Sequence, residues 1–344
     1  MEINKKTKLT TVKNQQYQDM LTHLDNAMQN WNSFSRLERL EYAYSCLELA
    51  RNYNCSTRGV DPSKISCALE IMPSTGYCHS VQTENGSALT TTTLSVAHML
   101  SAFKVSPITI LRASLHESTH ACDEILGIAQ HFENAPMTHF KKGEEFLPPA
   151  YYKEISQNYR DFGIAWLGKE DEIRANEVGY SVTIDLLQDL TALHPENTFY
   201  QVHFNALKNQ AEQQMTRQYQ AEVELEQWKA ELYQKYLPEG ETSYPIIDET
   251  FQIYDFEEPK HNFVTIETIR DVANQNEEMF KTQGYINTEL QGLTTKAEVD
   301  AHPEIGQTFM QKQNTCVNTI GQALTPTTTM SFINSTATAE MTMS

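Results

Sequence analysis

The segment His116-Glu117-Ser118-Thr119-His120 constrains this chain more than any other, because it puts two histidines four residues apart. On an α-helix, residues at this spacing lie on one face, so both imidazoles can reach one metal ion. Glu117 lies beside them and can accept a proton from a water bound to that ion. The segment therefore predicts a zinc site, with His116 and His120 as ligands and Glu117 as the general base.

The residues around this motif predict the helix that its chemistry requires. Ser106 and Pro107 form a start signal, with serine as the N-cap and proline at the first helical position. Gly127 marks the end of the same helix. Ser118 and Thr119 are uncharged, so we expect the helix to lie buried beneath a cleft.

A zinc site of this kind needs a third protein ligand, and an acidic segment downstream of the motif offers it. Its acids are Glu170, Asp171, Glu172 and Glu177. On a helix, Glu172 shares a face with the small residues Ala175 and Gly179, which would allow close approach to the motif helix. Glu177 lies about 140° further round the helix and should point elsewhere. Glu170 and Asp171 lie in the first turn, where acids usually offset the helix dipole. We therefore predict that Glu172 is the third ligand.

The two motifs together resemble the gluzincin branch of the zincin metallopeptidases. The resemblance rests on His116-Glu117-x-x-His120 followed by Glu172-x-x-Ala175-Asn176-x-x-Gly179, and it covers about residues 60–190. It implies a zinc metallopeptidase with a strand-bearing upper half, an active-site helix, and a helical lower half that carries the glutamate ligand. Gluzincins usually add a Tyr or His that stabilises the oxyanion. The candidates here are Tyr151, Tyr152, Tyr180 and His203.

Periodicity and turn signals predict a mostly helical α+β chain with zincin-like architecture. A small antiparallel sheet is expected ahead of the motif helix, with strands over 65–71, 77–82 and 88–96. The other predicted helices cover 14–30, 34–53, 150–167, 169–190, 198–236 and 263–282. The expected segments are N-terminal helices over 1–56, a catalytic core over 57–195, a C-terminal helical region over 196–324 and a disordered tail over 325–344.

Composition excludes several classes of partner. The chain has 26 Lys+Arg against 45 Asp+Glu, a formal charge of −19, which argues against nucleic acid and anionic membrane as partners. No apolar stretch approaches the roughly 18 residues of a membrane span. The six cysteines contain no CxxC pair, so we expect unpaired thiols.

These observations favour a zinc-dependent metalloendopeptidase that acts on a protein or peptide, with the Thr-rich strand 88–96 binding extended substrate by strand addition. Two alternatives remain open. One is a non-catalytic interaction protein that keeps the zincin scaffold and works through 198–282, and the other is a zinc hydrolase of a non-peptide amide. No signal peptide is predicted. The expected location is therefore the cytoplasm, or a target reached through a signal-peptide-independent secretion system, as for a bacterial effector or toxin.

Overall fold

The computed structural model of this chain describes residues 10–72, 76–82, 88–101, 103, 105–128, 138–140, 143, 145–246, 251–253, 262–281 and 285–324. The chain divides into two compact units, the first formed by Met1–Gly127 with His261–Ser344 and the second by Ile128–Lys260. The predicted four-segment division stays a prediction. The predicted disordered tail over 325–344 lies outside the described residues.

Helices dominate the described residues, which confirms the mostly helical α+β class. In chain order they are α1 (Gln15–Asn30), α2 (Arg36–Arg58), α3 (Val96–Met99), α4 (Pro107–Leu126), α5 (Pro149–Arg160), α6 (Ile164–Leu167), α7 (Glu170–Leu193), α8 (Thr198–Tyr236), α9 (Ile266–Gln275), α10 (Glu277–Phe280), α11 (Tyr285–Glu289), α12 (Lys296–Asp300) and α13 (Pro303–Ala323). None of these described helices is both long and apolar enough to cross a membrane.

The described strands form one small sheet and one strand pair. They are β1 (Ile65–Glu70), β2 (Gly76–Gln82), β3 (Ala88–Ser95), β4 (Thr138–Phe140), β5 (Phe251–Ile253) and β6 (Phe263–Val264). The sheet belongs to the first unit and has the order β2-β3-β1-β6. In the second unit, β4 and β5 pair antiparallel.

The sheet is mixed, so the expectation of an antiparallel sheet is wrong for one strand pair. β2 and β3 are antiparallel, as expected. β1 and β3, however, run parallel, with Ile65 opposite Thr90. The reason is the strand order: β3 lies between β1 and β2, and because β1 and β2 run in opposite directions, β3 can be antiparallel to only one of them. The segment Glu84-Asn85-Gly86 is a turn signal that predicts a connection between β2 and β3, and it lies outside the described residues.

α4 has the boundaries that its sequence predicts. The side chain of Ser106 accepts a hydrogen bond from the backbone N–H of Thr109, and Gly127 ends the helix in the left-handed conformation with φ of 68°. Leu111 and Leu115 are fully buried on its core face. α4 packs against α2 on one side and against β2 and β3 on another. The motif helix is thus the central element of the first unit.

The second unit is built on α7 and the long α8, which pack along each other. The predicted helix over 150–167 is wrong as one continuous element, because the chain breaks between α5 and α6. Phe162 has a positive φ of 54° at this break. The predicted helix over 263–282 likewise starts too early. Phe263 and Val264 pair with β1 instead, and the side chain of Thr265 then caps α9.

Candidate metal centre

The two histidines of the motif face each other across one turn of α4. Both are half-buried, and their Nε2 atoms lie 3.1 Å apart. Two nitrogens bound to a tetrahedral zinc at 2.0–2.1 Å are separated by about 3.3 Å, so the pair already has nearly the spacing that one ion requires. At this distance one imidazole can also donate a hydrogen bond to the other, and metal binding would replace that bond.

Glu117 lies on the same helix beside the first residue of β2. Its side chain is only 8% exposed. A Cβ placed on Gly76 would lie 3.5 Å from Cγ of Glu117 and 2.6 Å from the carbonyl oxygen of Thr93, which is too close for a side chain. Residue 76 must therefore be glycine for β2 to lie this close to β3. Sequence reasoning missed Gly76, although a glycine at the start of a strand is a signal of close backbone approach.

Glu172 stands in the first turn of α7 and is 5% exposed. Together with His116 and His120, Glu172 offers a group of donors that could hold a metal ion. Two imidazoles and a carboxylate are a set of donors that binds divalent transition metals. This group can therefore hold a metal ion.

The other acids of the predicted segment have partners of their own. Glu170 forms an ion pair with Arg174 at 3.3 Å, and Asp171 forms one with Lys169 at 3.2 Å. Glu177 accepts a short hydrogen bond from the hydroxyl of Tyr219 on α8. These contacts accord with the helix-face reasoning that selected Glu172. The expectation that Ala175 and Gly179 bring α7 close to the motif helix stays a prediction.

The predicted oxyanion candidates all lie in the second unit. Tyr151 lies in a cluster of buried apolar side chains, and the ring of Tyr152 packs edge-on against it at 5.3 Å. Tyr180 is buried. His203 packs edge-on against Phe199 at 4.4 Å, and burial lowers its pKa below the usual value. The oxyanion role stays a prediction for all four.

A tyrosine outside that set contacts the proposed third ligand. The hydroxyl of Tyr159 donates a hydrogen bond to Oε1 of Glu172 over 3.1 Å. The two are thirteen positions apart in sequence, and a separate helix, α6, lies between them, so no spacing rule could have paired them. Sequence reasoning therefore missed Tyr159 for lack of any local signal.

Comparisons of this chain with protein-family models, with curated proteins and with solved structures find no match. The resemblance to the gluzincins stays a prediction. What supports a function is the geometry of the site itself.

Proposed function

We propose that this chain is a zinc-dependent metalloendopeptidase in which His116, His120 and Glu172 hold the ion. The observation that carries the proposal is the pair of motif histidines on α4, whose Nε2 atoms lie 3.1 Å apart beside the buried Glu117. Catalytic zinc sites use three protein ligands, and two histidines with one glutamate are among the sets that they use. The residues of this site therefore fit the proposed metal.

Glu117 is the proposed general base. When bound, zinc polarises the scissile carbonyl and makes water more acidic. Glu117 accepts the proton of the attacking water and later passes it to the departing amine. It follows His116 directly in a well-capped helix, so its position relative to both histidines is fixed by α4. Its burial beside β2 limits its rotamers, which is what a proton carrier aimed at one bond requires.

The proposed substrate is an extended segment of a protein that pairs with β2. The earlier expectation that residues 88–96 receive the substrate is wrong, because β3 already has β2 on one side and β1 on the other. β2 is the outer strand of the described sheet, and its first residue, Gly76, lies against Glu117. A peptide added along its outer edge would form main-chain hydrogen bonds within reach of the base.

The decisive experiment combines metal analysis with a proteomic cleavage screen on the purified full chain. Wild type should bind about one zinc ion per chain, whereas His116→Ala and His120→Ala should lose it, since each removes one of three protein ligands. Glu117→Gln should retain zinc and its fold but lose cleavage by about 100-fold or more, because the amide cannot accept a proton.

Each alternative has its own outcome in this experiment. Wild type that binds no zinc even on addition would overturn the proposal. Zinc binding without cleavage of any peptide or protein would favour the non-catalytic interaction protein. Hydrolysis confined to small non-peptide amides, and abolished in Glu117→Gln, would favour the second alternative.

A further inference from the structure

Tyr159 and its neighbours form a network in the second unit that ends on the proposed third ligand. We infer that Tyr159 is a positioning residue that orients the carboxylate of Glu172 for metal binding, an inference that rests on the proposed function. The tyrosine stands in the last turn of α5, and its hydroxyl donates to Oε1 of Glu172 over 3.1 Å.

A hydrogen bond to one carboxylate oxygen fixes the plane of the whole group. A carboxylate has two oxygens and about four lone-pair sites, so it can accept from a tyrosine and bind a cation together. Residues that hydrogen-bond to metal ligands in this way fix ligand orientation and raise affinity. Glu172 has three side-chain torsions, and immobilising them before the ion arrives lowers the entropy cost of binding.

The ring of Tyr159 is itself held by a buried ion pair. The ammonium group of Lys169 lies 4.8 Å from the ring centroid and 3.2 Å from Oδ2 of Asp171. Oδ1 of Asp171 accepts a hydrogen bond from the backbone N–H of Glu172 over 3.1 Å. The same ion pair therefore fixes both the ring that donates and the backbone of the residue that accepts.

The free-energy cost of burying Lys169 and Asp171 suggests that the pair serves to position neighbouring groups. Lys169 and Asp171 are both 2% exposed, and a buried ion pair often adds no stability over apolar side chains of similar size. Stability alone therefore does not explain the buried pair of Lys169 and Asp171.

The turn that brings Tyr159 over α7 is strained. Phe162 adopts φ of 54°, a conformation that costs a bulky residue about 1–3 kcal/mol. Gly163 donates its backbone N–H to the carbonyl oxygen of Asn158 over 2.8 Å, and a Cβ on Gly163 would meet the Asn158 side chain at 2.5 Å. Backbone strain is often retained at functional sites. Here it fixes the last turn of α5, where Tyr159 lies.

The experiment compares two Tyr→Phe variants of the full chain. Tyr159→Phe keeps the ring and its contact with Lys169 but removes the donor to Glu172. Tyr219→Phe is the matched control, because it removes the same kind of Tyr–Glu hydrogen bond from Glu177 on the same helix. Each protein is stripped of metal and titrated with zinc in competition with a chromophoric chelator, and then with cobalt to record its visible absorption spectrum.

Tyr159→Phe should bind zinc about tenfold more weakly than wild type and shift the cobalt spectrum, whereas Tyr219→Phe should match wild type in both. Thermal unfolding of the metal-free proteins checks that Tyr159→Phe is folded. Wild-type affinity and spectrum in Tyr159→Phe, with loss of zinc in His116→Ala, would overturn the positioning role and leave the proposed function standing. Equal losses in both variants would also overturn it. If wild type binds no zinc, both fail together.

Discussion

The acids at the start of α7 differ in what surrounds them, and these surroundings decide which carboxylate can serve a metal ion. Glu170 is exposed at the helix surface, and Asp171 neutralises the buried ammonium group of Lys169. Glu177 lies five residues beyond Glu172 and contacts Tyr219 on α8. Glu172 is buried, and its Oε1 accepts a hydrogen bond from Tyr159. Its role as the third ligand stays a prediction.

We expect Glu172→Ala to weaken zinc binding, because it removes one of three protein ligands, while Glu177→Ala should leave the affinity unchanged. The measurement is a zinc titration of each purified variant in competition with a chelator. Both substitutions remove one carboxylate from the same helix, so they match in charge and in helix propensity. A loss of affinity in Glu177→Ala that equals or exceeds the loss in Glu172→Ala would show that the assignment of the third ligand is wrong.

For single residues, the sequence predicts relative positions when the residues lie on the same helix. His116 and His120 must share a face because the helical repeat puts them there. The same rule selects Glu172 among four acids, and that selection stays a prediction. Tyr159 could not be selected, because it acts through contact with a residue on another element, and such contacts depend on turns and packing that no local pattern encodes. Gly76 does carry a local signal of close backbone approach, but the signal does not say which strand the backbone approaches.

α2 holds α4 through polar contacts on the side away from the histidines. Asn54 is 1% exposed, and its amide donates to the carbonyl oxygen of Leu115 at 3.0 Å and to Ser118 Oγ at 2.6 Å. Arg58, four residues on, donates to the carbonyl oxygen of Thr119 and forms an ion pair with buried Asp123. Ser118 and Thr119 thus anchor the helix whose other face carries His116 and His120.

Asn54→Ala should destabilise the fold by about 1–3 kcal/mol, because buried groups on α4 lose their hydrogen-bond donor. The exposed Thr57→Ala on the same helix should stay within about 0.5 kcal/mol of wild type. Urea unfolding of the metal-free proteins, followed by circular dichroism, measures both. Equal free energies of unfolding for Asn54→Ala and wild type would mean that apolar packing alone holds α4.

The same contacts explain which boundaries the sequence could predict. The spacing of Ser35 and Glu38 in the sequence predicts a capping box, and that box starts α2. The predicted end at residue 53 is five residues too early, and the residues beyond it include Asn54, Ser56 and Thr57, which are poor helix formers. In the folded chain, tertiary contacts of Asn54 and Arg58 with α4 extend the helix to Arg58. The sheet is predictable only in part for the same reason. Turn signals identify the pairing of β2 with β3, but they do not show that β1 pairs with β3 on its other side.

The first unit is assembled from both ends of the chain, and two arginines near the start of α2 join them. Cations are unfavourable at a helix N-terminus, so their presence there requires another cause. Arg36 donates to the carbonyl oxygen of Met279 at 2.7 Å and forms an ion pair with Glu289 at 3.0 Å. The guanidinium of Arg39 lies 3.9 Å from the ring centroid of Tyr285. Pairings across more than 200 residues leave no periodic signal, so this assembly could not be read from the sequence.

Glu289→Gln tests whether that junction supports the whole unit. Arg36 and the side chain of Glu289 are 2% and 5% exposed, so removing the negative charge leaves a buried cation without its counter-charge. We expect a loss of about 3 kcal/mol in the free energy of unfolding, measured by urea denaturation. Glu41→Gln is the matched control, because its pair with Arg270 also joins α2 to the C-terminal part of the chain but is largely exposed. That loss should stay below about 1 kcal/mol.

The double variant Arg36→Met with Glu289→Leu distinguishes the effect of the ion pair from the effect of the other contacts that Arg36 makes. It removes both charges and keeps side chains of similar size, so it should be less destabilised than Glu289→Gln alone, because no uncompensated charge stays buried. Similar losses for Glu289→Gln and Glu41→Gln would show that burial of the Arg36 pair adds nothing to the junction. A double variant less stable than Glu289→Gln would show instead that the hydrogen bond from Arg36 to Met279, and not the ion pair, joins the two ends of the chain.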